Sequence, residues 1–255
     1  MPSYAVYPSL KDRPVLISGG GTGIGAIMVE HFARQGARVA FLDIQDAPSQ
    51  ALVERLAADG QPRPLYRRCD VRDVADLRAA IAEAAAALGP IRALVNNASR
   101  DDRHEFATVE PDYFDDMLAV NMRHHVFAAQ AVAPMMKAAG GGSIINFGSC
   151  SWRRGRTGMV GYTTAKAAID GLTRTLAREL GPDNIRVNCL VPGAILTERQ
   201  AALWRTPEED RMFLEVQALK MLLEPPEIAR MALFLAADDS SACTGHNFFV
   251  DGGLV

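Results

Sequence analysis

Cysteine is scarce and scattered. Only Cys69, Cys150, Cys189 and Cys243 occur in 255 residues, with no Cys-x-x-Cys pair. That argues against a disulfide framework or a zinc site, and fits the reduced thiols of a cytoplasmic protein. Long apolar runs are missing as well: no segment has the roughly eighteen apolar residues that a membrane span needs. The N-terminus, Met-Pro-Ser-Tyr-Ala-Val-Tyr-Pro, lacks a basic stretch followed by an apolar one, so it does not read as a signal peptide. Charge of one sign is also lacking. The net value of −3 gives no general attraction to nucleic acid or anionic membrane. There is no linker rich in Pro, Gly or Ser, no low-complexity tract and no repeat. One domain over 1–255 is the expectation.

What is present alternates between two periods. Short apolar runs at 15–18, 38–42, 64–69, 93–96, 143–147, 185–190 and 247–250 read as strands. Between them lie helical stretches: from the glycine cluster to Gln35, then 48–59, 73–88, 112–139 with Pro134 as a kink, Tyr162 to about Leu180, and 226–236. Strands alternating with helices of this length imply βαβ units: an α/β fold with a doubly wound, Rossmann-type parallel sheet and helices on both faces. The segment at about 195–220 is amphipathic and less regular, and is expected to cover a substrate.

The first strand runs into Gly19-Gly20-Gly21-Thr22-Gly23-Ile24-Gly25, and a helix follows. Glycine lets backbone turn tightly and approach a pyrophosphate, and a helix N-terminus offers free N–H groups and a positive dipole end. The spacing is Gly-x-x-x-Gly-x-Gly rather than Gly-x-Gly-x-x-Gly, and glycine-rich turns also occur without ligands. Asp43 ends the second strand, eighteen residues after Gly25. It stands near where an acid grips the ribose 2′-hydroxyl and repels a 2′-phosphate. Neither the glycine loop nor Ile44 supplies a base, so NAD is favoured over NADP. The alternative is that Asp43 merely caps the next helix. Asp70, after the third strand, could reach an adenine amino group or cap the helix at 73.

Tyr162 and Lys166 are four apart in a helical stretch and share a face. A free tyrosine, with a pKa of roughly 10, is a poor base at neutral pH. A fixed cation beside it favours phenolate and lowers that value. The pair can then take a proton from an alcohol or give one to a carbonyl. Ser149, thirteen residues earlier at a strand end, can hold the same oxygen. A helix can carry such a pair by chance, so the case rests on the whole chain.

Taken in order, Gly19-x-x-x-Gly23-x-Gly25, Asp70-Val71, Asn96-Asn97-Ala98, Asn121, Ser149, Tyr162-x-x-x-Lys166 and Pro192-Gly193 with Thr197 resemble the short-chain dehydrogenase/reductase family. The resemblance implies a seven-stranded sheet, a homotetramer or dimer, and a catalytic tetrad of Asn121, Ser149, Tyr162 and Lys166. In it Tyr162 is the acid/base and Ser149 holds the reacting oxygen. Lys166 bonds the nicotinamide ribose and lowers the tyrosine pKa, and Asn121 holds a relay water. NAD would lie on Gly19, Thr22, Gly23, Ile24, Gly25, Asp43, Asp70, Val71, Asn97, Ala98, Pro192 and Gly193. Ile195 backbone and the Thr197 hydroxyl would hold its carboxamide. Ser99 departs from the glycine usual after Asn-Asn-Ala.

Further motifs narrow the resemblance: Asp101-Asp102-Arg103-His104, Asn121-Met122-Arg123-His124, Ile145-Asn-Phe-Gly-Ser149 with Ser151-Trp152, and Cys243-Thr-Gly-His246. They are similar to the bacterial NAD-dependent D-xylose 1-dehydrogenases and related sugar dehydrogenases, which oxidise an anomeric hydroxyl to a lactone. A pyranose site needs hydrogen-bonding side chains and a flat aromatic face. Ser99, Ser149, Ser151, Trp152, Arg154 and Tyr162 are the expected substrate contacts. Arg153, Arg154 and Arg156 leave a second substrate class open, a sugar acid such as a 2-keto-3-deoxy acid, since guanidinium groups suit carboxylates. They also suit a solvated or interface loop. A catalytically silent NAD sensor is the remaining class, and the complete tetrad argues against it. His104, His124 and His125 show no coherent metal spacing, and no metal is expected.

Overall fold

A computed structural model describes residues 4–203 and 205–255. Met1–Ser3, part of the stretch read for a leader, and Trp204, within the expected covering segment, lie outside the described residues. In chain order come β1 (Pro14–Ser18), α1 (Gly23–Arg34), β2 (Arg38–Asp43), α2 (Asp46–Ala58), β3 (Leu65–Arg68), α3 (Val74–Leu88), β4 (Ala93–Asn96), α4 (Pro111–Leu118), α5 (His124–Ala138), β5 (Gly142–Phe147), α6 (Val160–Leu180), β6 (Ile185–Pro192), α7 (Glu198–Leu203), α8 (Pro207–Val216), α9 (Pro225–Ala236) and β7 (Asn247–Val250).

The strands form one seven-stranded sheet in the order β3-β2-β1-β4-β5-β6-β7, with every pairing parallel. Strands of such a sheet are buried on both faces, which is why they read as apolar runs rather than alternating ones. Successive side chains still point to opposite faces. Leu16, Leu94 and Ile144 pack with Leu77, Ile81, Val132 and Met136 on one side. Ile17, Val95 and Ile145 pack with Val29, Phe32 and Ile228 on the other. Strand order reverses between β1 and β4, and in open α/β sheets ligands bind in the crevice beyond the strand ends at such a point. The glycine cluster follows β1 there, and Asn97 follows β4.

One expected helix is resolved differently. The 112–139 stretch divides into α4, a π-helical turn at Ala119–Arg123, and α5. Pro134 sits inside α5 without ending it, so the irregularity lies at Asn121 and not at the proline. Single π turns are frequent at functional sites. Asn121 is fully buried. Its Nδ2 donates to the Met117 carbonyl at 2.9 Å and its Oδ1 accepts from the Arg100 amide at 2.9 Å.

The histidines that open α5 belong to the core. His124 and His125 are both fully buried. His124 Nε2 lies 3.0 Å from the Ala98 carbonyl and His125 Nδ1 lies 3.2 Å from Asn146 Oδ1. Burial, more than the positive charge of Lys166, pushes His124 down to about 3. Burial likewise holds His125 well below the usual imidazole value.

These histidines make stability depend on pH. An unfolded histidine titrates near about 6.5, above both folded values. The stability they contribute is therefore complete above that pH and lost as pH falls toward the folded values. Each proton taken up only by the unfolded chain costs about 1.4 kcal/mol per pH unit. Urea unfolding at about pH 7 and about pH 5 is expected to show a steeper loss in wild type than in His125→Gln. Equal slopes would mean that the imidazole takes up its proton in the folded protein.

Candidate active site

The glycine loop is shaped by its own packing. A side chain at Gly25 would place Cβ 1.8 Å from the Gly19 carbonyl oxygen, so only glycine lets α1 start this close to β1. Gly23 has φ +55°, and a Cβ there would face open space bounded by Thr197, 3.8 Å away. No side chain caps α1 and no acid occupies its first turn. The first N–H groups and the positive helix end are thus available to a phosphate, and the loop fits the diphosphate of a dinucleotide.

Asp43 supports this loop directly. Its Oδ2 accepts from the Gly21 amide at 2.8 Å and its Oδ1 from the Gln45 amide at 3.0 Å. The Thr22 hydroxyl makes a long contact, 3.5 Å, with Gln45 Nε2 while its carbonyl accepts from the Ala26 amide at 3.2 Å, and Ile24 packs partly buried against the core. Sequence reading placed no base near Asp43. The structure brings one from β3: Arg68, paired in register with Asp43, donates to the Ile44 carbonyl at 2.8 Å and forms an ion pair with Asp46. Asp70 does not cap α3. Asp73 does, accepting from Ala75 and Asp76 amides, while Asp70 is bound by the backbone and guanidinium of Arg72. Val71 is buried beside it. Asn97 ties the end of β4 to β1, its Nδ2 donating to the Ser18 and Gly19 carbonyls at 3.1 and 2.8 Å. The Ala98 amide donates to Ser18 Oγ at 3.2 Å. Ser18 was not singled out from sequence, because a lone serine after an apolar run carries no distinguishing pattern.

The reactive groups gather where β5 meets α6. Lys166 is 1% exposed and its Nζ donates to the Phe147 carbonyl at 2.8 Å, with the Tyr162 ring centroid 5.7 Å away. Ser149 Oγ accepts from the Ser151 amide at 3.1 Å and donates to Ser151 Oγ at 3.0 Å. The expected lowering of the phenol pKa is not what the protein alone produces. Burial pushes Tyr162 well above the ordinary value, against an opposing hydrogen bond from Ser149, and the Asp101 carboxylate adds to the rise. Burial also pushes Lys166 down to about 8. Both members of the pair are desolvated, and desolvation disfavours phenolate and ammonium alike. Asn121 lies behind this centre. Its side chain already bonds the Met117 carbonyl and the Arg100 amide, which fixes its orientation.

One cavity opens onto the reactive pair. Tyr162, Ser149, Ser151, Gly193 and Ile195 line it, with Asp101, Arg103, Arg154, Arg156, Gln200, Arg205, Glu209 and Phe213. Two expected contacts lie elsewhere. Ser99 is exposed and outside the lining. Trp152 is also outside it, its ring 4.9 Å from the Arg153 guanidinium, which lies 4.8 Å from the Phe249 ring. The aromatic wall is Phe213 of α8 instead. The amphipathic pattern of the covering segment was the only sequence signal for it, and nothing in the sequence marked Arg205, Gln200 or Glu209. Gly193 is packed against Asp251 and its amide donates to the Val250 carbonyl at 2.9 Å, which fixes Pro192 and the chain leading to Ile195. The Thr197 hydroxyl accepts from the Gln200 amide at 3.2 Å as α7 begins and keeps its own proton to donate. Among the described residues, no three or more His, Cys, Asp or Glu side chains converge as a metal site.

Comparison with known proteins places this geometry. The profile described as enoyl-(acyl carrier protein) reductase matches residues 19–255. The chain is 51% identical over 251 residues to the D-xylose 1-dehydrogenase of Caulobacter vibrioides, covering 98% of this chain and 99% of that one. It is 50% identical over 248 residues to a galactose dehydrogenase, assigned as probable, of Rhizobium meliloti, covering 97% of each. Among solved structures, 7α-hydroxysteroid dehydrogenase in complex with NADH and 7-oxo glycochenodeoxycholic acid superposes with a TM-score of 0.90, at 32% identity over 96% of each chain.

The pair generates a direct test. A general base contributes about 10²–10⁴-fold, so Tyr162→Phe should lower kcat for carbinol oxidation by about that factor. Because the phenol is raised, oxidation by wild type should climb through the alkaline range and carbonyl reduction should fall. The slope should vanish from the residual rate of the variant. Near-normal turnover by Tyr162→Phe in a stopped-flow assay would place the base elsewhere.

Proposed function

The chain belongs to the short-chain dehydrogenase/reductase family and is an oxidoreductase acting on CH–OH groups; from that premise we propose that it is an NAD-dependent aldose 1-dehydrogenase. The supporting observation is that Tyr162 and Ser149 line one cavity with Lys166 sealed behind them. A nicotinamide cofactor, held by the glycine loop, would supply the hydride acceptor for the anomeric carbon. Ser149 holds the anomeric oxygen, Tyr162 takes its proton, and the carbon–oxygen bond becomes the lactone carbonyl. Lys166 offers the N–H donors that Phe147 leaves free to a ribose hydroxyl. The α1 N-terminus would hold the diphosphate, and the Thr197 hydroxyl would be the donor for the carboxamide. The relatives named for D-xylose and galactose support a pentose or related aldose such as D-xylose or L-arabinose. NADH formed in step with lactone, followed by NMR, is the expected result. Oxidation of secondary alcohols with no aldose turned over would overturn it. A cytoplasmic homotetramer belongs to the same reading, and sedimentation equilibrium checks the assembly.

NAD is preferred over NADP on this reading because the Asp43 carboxylate stands at the loop and Arg68 is already neutralised by Asp46. Asp43 also holds Gly21, so Asp43→Ala removes both a charge and a brace. Asp43→Asn removes the charge and keeps one acceptor oxygen, enough for the Gly21 amide, at the loss of the bond from the Gln45 amide. The expected outcome is a reduced NAD⁺ over NADP⁺ ratio of kcat/KM in Asp43→Asn, with the melting temperature closer to wild type than that of Asp43→Ala. A wild-type enzyme that favours NADP⁺ would refute the assignment.

A further inference from the structure

The cavity carries more positive charge than oxidation of a carbinol requires. Arg154 and Arg205 both lie against Phe213, their guanidinium carbons 5.3 and 5.4 Å from the ring centroid. The Arg205 side chain is 6% exposed. It pairs with Asp210 and donates from Nη1 to the Ala194 carbonyl at 3.3 Å, yet its Nη2 is buried without a hydrogen-bond partner. Arg154 has no carboxylate partner among the described residues. Arg156 stands 4.0 Å from Glu209, at the outer limit of an ion pair.

An unpaired buried donor is costly unless a ligand supplies the acceptor. Guanidinium groups are planar donor forks, and their geometry matches a carboxylate better than a single hydroxyl. The apolar ring beneath them strengthens any charge pairing by displacing water. Tyr162 and Ser149 line the same cavity, so an anion held here belongs to the molecule being oxidised.

We propose that this site takes a sugar acid, its carboxylate held by Arg154 and Arg205 against Phe213 while its reacting carbinol faces Tyr162 and Ser149. The proposal rests on the reading of Tyr162 as the acid/base, and it deepens the substrate assignment. Two sources share the chemistry. A uronic acid is an aldose with a terminal carboxylate and is oxidised at its anomeric carbon. A 2-keto-3-deoxy sugar acid is oxidised at a secondary hydroxyl. In both, the carbinol carbon gives its hydride to NAD⁺ and its hydroxyl proton to Tyr162.

The test uses full-length enzyme and matched substrates. D-Galacturonate and D-galactose differ only at the terminal carbon, carboxylate against hydroxymethyl, and a 2-keto-3-deoxy sugar acid forms the third arm. An acid is expected to exceed the neutral sugar in kcat/KM by about a hundredfold or more. Arg154→Gln should cut that ratio at least about tenfold through KM. So should Arg205→Lys, which keeps the charge for Asp210 but loses the fork. A neutral sugar preferred by wild type, with the ratio unmoved in both variants, overturns the proposal and leaves aldose oxidation standing. Turnover of the 2-keto-3-deoxy acid alone, lost in the arginine variants, supports the carboxylate site and overturns anomeric oxidation. Calorimetric titration of Tyr162→Phe with NAD⁺ and each acid reads binding with turnover slowed by the lost base. Acid affinity equal with and without Arg154→Gln overturns the proposal even if no oxidation is detected.

Discussion

The site depends on a cation sealed away from water. Lys166 reaches a single protein acceptor among the described residues, the Phe147 carbonyl, and is almost without exposed surface. An ammonium in such a place costs several kcal/mol unless its donors are all satisfied. Its shift toward neutrality is the same cost in another form. Phe147 is the last residue of β5 and Lys166 lies in α6, so the bond fastens the helix to the sheet edge. Tyr162, one turn earlier, is thereby held at the mouth of the cavity. The floor behind is also polar and partly paired, with Asn96 Oδ1 and His125 Nε2 lacking a hydrogen-bond partner among the described residues. Asn146 accepts from Asn96 at 3.0 Å and donates to Thr173 at 3.1 Å, joining β4, β5 and α6 in one network. A buried ammonium with donors left over is costly in its own right. The two N–H donors that Lys166 keeps are therefore what a ribose hydroxyl would complete.

Much of this was legible in the sequence. The two hydrophobic periods separate strands from helices, and the parallel sheet follows from their alternation. Tyr162, Lys166 and Ser149 do meet, because i and i+4 share a helix face and a strand end must stop close to the next helix. The π turn at Asn121 was not legible. Its extra residue shifts the hydrogen-bond register without breaking the apolar repeat, and Pro134 drew attention as the more familiar breaker. The reach of Arg68 to Ile44 was hidden for another reason. Parallel strands bring residues 22 to 24 positions apart together, and no local pattern records that. Asp70 and Asp73 sit three apart ahead of one helix, and propensity does not decide which one caps it. Trp152 looked like the sugar platform because it is aromatic and near Ser149. An adjacent guanidinium took its face instead, and Phe213 reached the cavity from a segment more than sixty positions away.

The segment at 195–220 connects the cavity arginines with the surroundings of Tyr162. α7 is joined to the loop after β4 by Gln200, which donates to Asp101 at 3.0 Å, and by Arg199, which faces Asp102 at 3.4 Å. Asp101 is the carboxylate that raises the Tyr162 phenol, while Arg103 lowers it. The next turns carry Arg205, Glu209 and Phe213 into the same cavity. A neutral ligand would leave the buried Arg205 Nη2 without a charged acceptor. A carboxylate would supply one and displace the water beside it. Lower local polarity then strengthens every remaining charge interaction, including the one between Asp101 and the phenol. That interaction keeps the tyrosine protonated, which favours reduction, and the Arg103 guanidinium is the charge that opposes it.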